Sequence, residues 1–353
     1  FIQLSGIMRD IYLYSKDSRA ELRDFFVQTS FADRTDKNSD VTMNVDVDVR
    51  NLTDKEDTSG YTVDVKLKDM DGKLIGQDTI SYDKLKALQG VTGASDPNAA
   101  DADGEKKVNL GDRKTATIEV KNPKKWLPDT PNLYMVTLEL KDSTGKVIEA
   151  EAEHVGFREI YKVNINDAEQ EQMQITGQKI IFRGVNRHDA SLENGSAVTN
   201  QEIIDDLKLM KQYNVNAVRT SHYPNAKILY DLADELGIYV YAEANVESHY
   251  GAYGDHKVPI PGGDSRWVTP VLDRNMNMLE LLKNHASIIG WSYGNEATYT
   301  RCPLDNTYCF WAAAMAVLNR DPSRLRMYER ESDGYYHRYQ KDAGADPWGM
   351  ETR

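Results

Sequence analysis

The chain has 353 residues, a net charge of −13 and two cysteines. That length holds about two or three domains with cores of their own, more than a single sandwich requires. The acidic balance, without any dense run of Lys or Arg, excludes a surface that tracks nucleic-acid phosphates, and no stretch nears the ~20 apolar residues that cross a bilayer. Neither nucleic acid nor a membrane is expected as a partner. Cys302 and Cys309 lack the spacing of a zinc or redox pair. Free thiols fit a reducing, cytoplasmic compartment. The chain opens on Phe1 and stops at Arg353 without an obvious ending, so a piece cut at both ends is expected, and a leader before Phe1 is not readable.

From about Asp24 to Ile160 the apolar residues alternate. Val41, Met43, Val45, Val47 and Val49 form one run, Tyr61, Val63, Val65 and Leu67 a second, Tyr134, Val136, Leu138 and Leu140 a third, and Ile148, Ala150 and Ala152 a fourth. Period two marks half-buried antiparallel strands, and Asp71-Gly72 and Thr144-Gly145 supply turns between them. A β-sandwich of roughly seven strands is predicted. The Ala-, Asp- and Gly-rich stretch 90–107 has no period and reads as a surface loop.

After Gly177 short apolar strands alternate with amphipathic helices. Strands are predicted at Ile180 to Gly184, Ala217 to Ser221, Ile238 to Ala244, Ser287 to Glu296 and Leu325 to Glu329. Between them, Thr199 and Glu202 form a capping box ahead of Ile203, Leu207 and Met210; Gly237 ends a helix carrying Leu229, Leu232 and Leu236; and Val268 through Leu282 and a segment at Phe310 line two more. Repeated βα units imply a parallel sheet, closed as a (β/α)8 barrel or open as a doubly wound fold.

Polar residues gather where these strands end, which is where a barrel keeps its site. The groups are Asn186-Arg187-His188-Asp189, Arg219-Thr220-Ser221-His222, Glu243 through His249, and Asn295-Glu296. The last follows the apolar run Ile288-Ile289-Gly290-Trp291. A carboxylate delivered there either pairs or holds a proton, and a held proton is what a general acid needs. Glu247 and His249, two residues apart, project from one side of an extended backbone and could share a cation with Glu296.

Gly184 through His188, Arg219 through Pro224, Glu243 through Asn245 and Trp291 through Glu296 resemble signature blocks of glycoside hydrolase family 2, and within it the β-galactosidases. Leu4 through Asp10, Trp126 through Tyr134 and Val155 through Glu159 extend the likeness over nearly the whole chain. The resemblance implies that residues 1–18 end a jelly-roll sugar-binding domain, that 19–160 form an immunoglobulin-like β-sandwich, and that 161–353 begin a (β/α)8 TIM barrel.

It further implies a retaining hydrolase of terminal β-D-galactosides, with Glu296 as acid/base and carboxyl groups about 5.5 Å apart. By the same likeness His188, His222 and Asn295 hold the sugar, Arg219 clamps carboxylates from behind, and Glu247, His249 and Glu296 hold Mg2+. The nucleophilic glutamate of the family falls beyond this sequence; neither Glu329 nor Glu331 takes its place, so the isolated fragment is expected to be inactive. A homo-oligomer is expected at full length. β-Glucuronidase, or another exo-glycosidase of the family, is the nearest alternative, and a non-catalytic carbohydrate-binding or assembly module is the alternative from another class.

Overall fold

The computed structural model describes residues 7–53, 56–86, 111–165, 170–248, 260–261, 265–297 and 308–327. Stretch 90–107, His249, Glu329 and Glu331 are therefore outside the described residues. The chain divides into two compact units. One comprises Ile11–Lys124 and Leu133–Phe157; the other comprises Phe1–Asp10, Lys125–Asn132 and Arg158–Arg353.

The first unit is a β-sandwich. Its strands are β1 (Ala20–Phe31), β2 (Val41–Asn51), β3 (Ser59–Asp69), β4 (Leu74–Lys84) and β5 (Asp112–Val120). After the short β6 (Trp126–Leu127) and β7 (Thr130–Pro131), which belong to the other unit, it resumes with β8 (Tyr134–Lys141) and β9 (Val147–Val155). One sheet runs β1-β2-β5 and the other β4-β3-β8-β9, and every pairing is antiparallel. The alternating residues read from the sequence do what period two demands. Val45, Val47, Val63, Val65, Leu67, Val136, Leu138 and Leu140 are completely buried in one apolar cluster. The turns at Gly72 and Gly145 take φ of 85° and 84°, the left-handed region that favours glycine.

The second unit contains a small antiparallel sheet, β10 (Ile160–Ile165), β11 (Gln170–Ile175) and β12 (Gln178–Lys179), and then the parallel sheet. The parallel strands are β13 (Gly184–Arg187), β14 (Ala217–Thr220), β15 (Tyr239–Glu243), β16 (Ile288–Ser292) and β17 (Leu325–Met327), side by side in chain order. Helices α1 (Asn200–Gln212), α2 (Lys227–Leu236), α3 (Val268–Leu282) and α4 (Tyr308–Arg320) connect them. Thr199 caps α1 in the reciprocal arrangement predicted, its side chain accepting from Glu202 N while Glu202 accepts from Thr199 N. Gly237 ends α2 with φ 68°. No Cβ fits there, since one would stand 2.2 Å from the Pro128 carbonyl oxygen.

The strands are shorter than the sequence suggests. Residues 180–183 precede the first parallel strand instead of forming it, because Ile180 N donates to Met173 O and Arg183 N donates to the Asn216 side chain. The run from Ser287 leaves the sheet after Ser292, so Asn295 and Glu296 sit in a turn beyond the strand. Gly294 at φ 148° and Glu296 at φ 42° redirect the backbone there. Among the described residues no helix is long and apolar enough to cross a membrane.

Candidate active site at the strand exits

Three neighbouring strands bring polar side chains to one end of the parallel sheet. Arg219 and Thr220 close β14, Glu243 closes β15, and Ser292 closes β16. Beyond the sheet the exit loops of β15 and β16 are stitched together. Asn295 N donates to Val246 O at 2.9 Å, and Glu247 and Asn295 form a parallel bridge. This close approach needs Gly294, whose hypothetical Cβ would lie 2.5 Å from Val246 O.

Glu243 occupies the middle of the site and is completely buried. Its Oε2 accepts from Arg219 Nε at 2.5 Å and from Ser292 Oγ at 2.6 Å. Its Oε1 faces His222 Nδ1 at 2.6 Å, and its backbone N–H donates to Thr220 Oγ1 at 2.9 Å. A carboxylate so far from water is tolerable only because charge and hydrogen bonds meet both of its oxygens.

Arg219 reaches onward. Its Nη2 donates to Asn295 Oδ1 at 2.8 Å, while Asn295 Nδ2 donates to Glu247 Oε2 at 2.6 Å. With donors and acceptors satisfied on both sides, the Asn295 amide has one orientation. His188 and His222 meet edge to face with ring centroids 5.3 Å apart. Burial, and then the neighbouring His222, push the His188 imidazole below its ordinary value.

Behind the first two exits lies a second cluster. Arg187 binds Asp189 and also donates to Asn225 Oδ1 at 2.9 Å and Asp206 Oδ2 at 3.0 Å. Asp189 in turn accepts from Arg9 Nη2 at 2.5 Å and from Ala226 N at 3.0 Å. These contacts pin the loops after β13 and β14 without exposing a reactive group.

The structure thus brings His188, His222, Arg219, Asn295 and Glu247 into one neighbourhood, with the half-buried Glu296 on the same turn as Asn295. The third residue of the cation set, His249, is outside the described residues. Glu243 is the participant that sequence reasoning passed over as a bare member of a motif. Its signal was a carboxylate at the end of the otherwise uncharged run Tyr239-Val240-Tyr241-Ala242.

A five-stranded parallel βα sheet with an Asn-Glu pair and two histidines at its strand exits keeps its polar groups where a TIM barrel keeps its site. The comparisons agree. Residues 163–345 match the TIM barrel domain of glycosyl hydrolases family 2, and residues 20–158 match a second domain of glycosyl hydrolases family 2. A β-galactosidase of Priestia megaterium is 34% identical over 97% of this chain and 29% of its own length. A β-galactosidase of Pseudoalteromonas haloplanktis is 35% identical over 92% of this chain and 27% of its own. This chain spans less than a third of the length of either relative.

Among solved structures, the apo form of Bacteroides uniformis β-glucuronidase 3 covers 88% of the chain, and 33% of its own, with a TM-score of 0.64 at 19% identity. A β-D-glucuronidase of Dictyoglomus thermophilum covers 87%, and 43% of its own, with a TM-score of 0.63 at 23% identity. At such identities these two speak for the fold alone. The chain belongs to glycosyl hydrolases family 2.

Proposed function

We propose that this chain supplies the acid/base half of a retaining β-galactosidase. The observation that carries the reading is the doubly held amide of Asn295, fixed by Arg219 on one side and Glu247 on the other, immediately before Glu296. In a retaining glycosidase one carboxyl protonates the leaving oxygen while a second attacks the anomeric carbon, and a hydrogen bond to the 2-hydroxyl tightens as positive charge develops on the ring. Glu296 takes the proton-donor role and Asn295 the hydroxyl contact. His188 and His222, in edge-to-face contact on neighbouring exits, hold the remaining hydroxyls. Arg219 holds Asn295 and Glu243 in place and does not touch the sugar.

Magnesium fits the donor set. Glu247 presents a carboxylate whose Oε2 is already oriented by Asn295, and hard oxygen donors suit this ion better than the imidazole of His249. Glu247, His249 and Glu296 would hold it, and its charge would lower the proton affinity of a carboxyl beside it.

Galactosides are favoured over glucuronides because the relatives that share about a third of their residues with this chain are β-galactosidases, whereas the glucuronidases resemble it only in backbone. The residues before 19 are assigned to the end of a sugar-binding domain. The test is hydrolysis of an aryl β-galactoside and an aryl β-glucuronide by the product of the complete reading frame that contains these residues, wild type and Glu296→Gln. Galactoside turnover that collapses in the variant is the expected result. Preference for the glucuronide selects the other exo-glycosidase reading, and turnover that survives Glu296→Gln removes Glu296 from the chemistry.

A further inference from the structure

We propose that Glu243 is a positioning residue that dictates which nitrogen of His222 carries the proton, so that Nε2 meets a ligand as a hydrogen-bond acceptor. The inference rests on the glycosidase reading only for the identity of that ligand. The geometry is independent of it.

His222 Nδ1 has two neighbours that make opposite demands. Arg219 Nη2 stands 3.4 Å away and, being a donor, would need a lone pair on Nδ1. Glu243 Oε1 stands 2.6 Å away and, being an acceptor, needs a proton there. The shorter, charge-assisted contact wins, because at 3.4 Å the guanidinium gains little while an unprotonated Nδ1 facing a carboxylate oxygen at 2.6 Å is repelled. Arg219 loses nothing by this, since the same Nη2 already donates to Asn295 Oδ1 at 2.8 Å. With the proton on Nδ1, the neutral ring has its lone pair on Nε2. Glu243 is completely buried, so no water stands in for it.

The carboxylate is required, and an amide of the same shape would invert the pattern. Oε2 accepts two donors, Arg219 Nε at 2.5 Å and Ser292 Oγ at 2.6 Å, while Oε1 accepts one. Glutamine has a single acceptor oxygen. The guanidinium and the hydroxyl claim it, which turns the amide NH2 toward His222 Nδ1. Nδ1 then becomes the acceptor and the proton moves to Nε2. A histidine that accepts from a sugar hydroxyl becomes one that donates to it, with no change in the shape of the site.

The experiment is long-range 1H–15N correlation of the imidazole rings in this chain without ligand, at about pH 8, above the ordinary imidazole range, with His222 assigned through His222→Asn. Wild type is expected to show the protonated signal at Nδ1 and the lone-pair signal at Nε2, and Glu243→Gln is expected to exchange the two. A wild-type ring protonated at Nε2 overturns the proposal however the variant folds. An unchanged Nδ1–H pattern in a folded Glu243→Gln overturns the control assigned to Glu243, since a merely structural carboxylate would leave the tautomer alone. Because no sugar is present, failure here leaves the galactoside reading standing, and failure of the hydrolysis assay leaves the tautomer result standing.

Discussion

The two units differ in how far burial relies on paired charge. The sandwich hides aliphatic side chains from β2, β3 and β8 in one apolar cluster and buries little charge besides Asp48, which pairs with Arg23 at 2.9 Å. The parallel-sheet unit has a comparable apolar cluster but also buries charge at both ends of its strands. Glu243 with Arg219 lies at the exits. At the entrances Asp234 accepts from His285 Nδ1 at 2.7 Å and Ser287 N at 2.6 Å, while Asp321 accepts from Trp291 Nε1 at 2.9 Å and Arg324 Nη1 at 2.6 Å. Arg158 and Arg324 both donate to the carbonyl of Ile288. Apolar burial tolerates imprecision, whereas each of these ions must find a partner or cost several kcal/mol. The sandwich is specified by pattern, and the sheet with the site is specified by pairing.

The largest test of this contrast is Arg324→Met. It strands the fully buried Asp321 carboxylate and should cost about 3–5 kcal/mol, read as lost hydrogen-exchange protection in β16. A double variant that also carries Asp321→Asn should recover part of the loss, because the Asn oxygen still accepts from Trp291. The pH dependence has a definite sign. Burial pushes the Asp321 carboxyl up, but the Arg324 charge and the hydrogen bonds from Ser323, Arg324 and Trp291 prevail and hold it below its ordinary value. Its stabilising share is therefore present above the unfolded carboxylate range and lost as pH falls through the folded value. In Arg324→Met that acid loss should flatten or reverse. An unchanged acid profile would dissolve the contrast.

Leu138→Ala probes the other side. A fully buried leucine in the sandwich should cost about 2–5 kcal/mol through the cavity it leaves, measured by urea unfolding, with the acid profile unaltered. A smaller and more local effect is expected from Gly294→Ala. Strain at φ 148° and the approach to Val246 O should cost about 1–3 kcal/mol, seen as faster amide exchange at Asn295 while β16 stays protected. Smallest is Thr199→Ala, which removes one half of the α1 capping box for about 1 kcal/mol, measured as fraying of the first turn.

What the sequence disclosed follows the same division. Period two in β2, β3 and β8, the capping box at Thr199 and the left-handed stop at Gly237 are local, and local patterns are legible in a single chain. The strand exits were legible because a polar residue after an apolar run is conspicuous. The pairings were not. Glu243 and Ser292 are 49 positions apart, and Arg158 and Ile288 are 130 apart, so no window of sequence displays either contact. The turn at Gly294 was missed for a different reason. Ser287 to Glu296 carries enough apolar residues to read as one strand, and only the φ values at Gly294 and Glu296 reveal where the sheet stops.

The short segment Lys125–Asn132 carries a practical consequence for anyone who would divide this gene. It lies between sandwich strands in the sequence yet is counted with the parallel-sheet unit. There Trp126 is completely buried, donating from Nε1 to Asp234 O at 2.8 Å with its ring edge-on to Tyr239. A plasmid encoding residues 19–160 would carry off a tryptophan that belongs to the other core, leaving one recombinant product with an orphaned indole and the other with a hole beneath α2. The two units are modules in space but not in the reading frame, and a clean excision would have to replace Lys125–Asn132 with a short polar linker in the first product and graft it back onto the second.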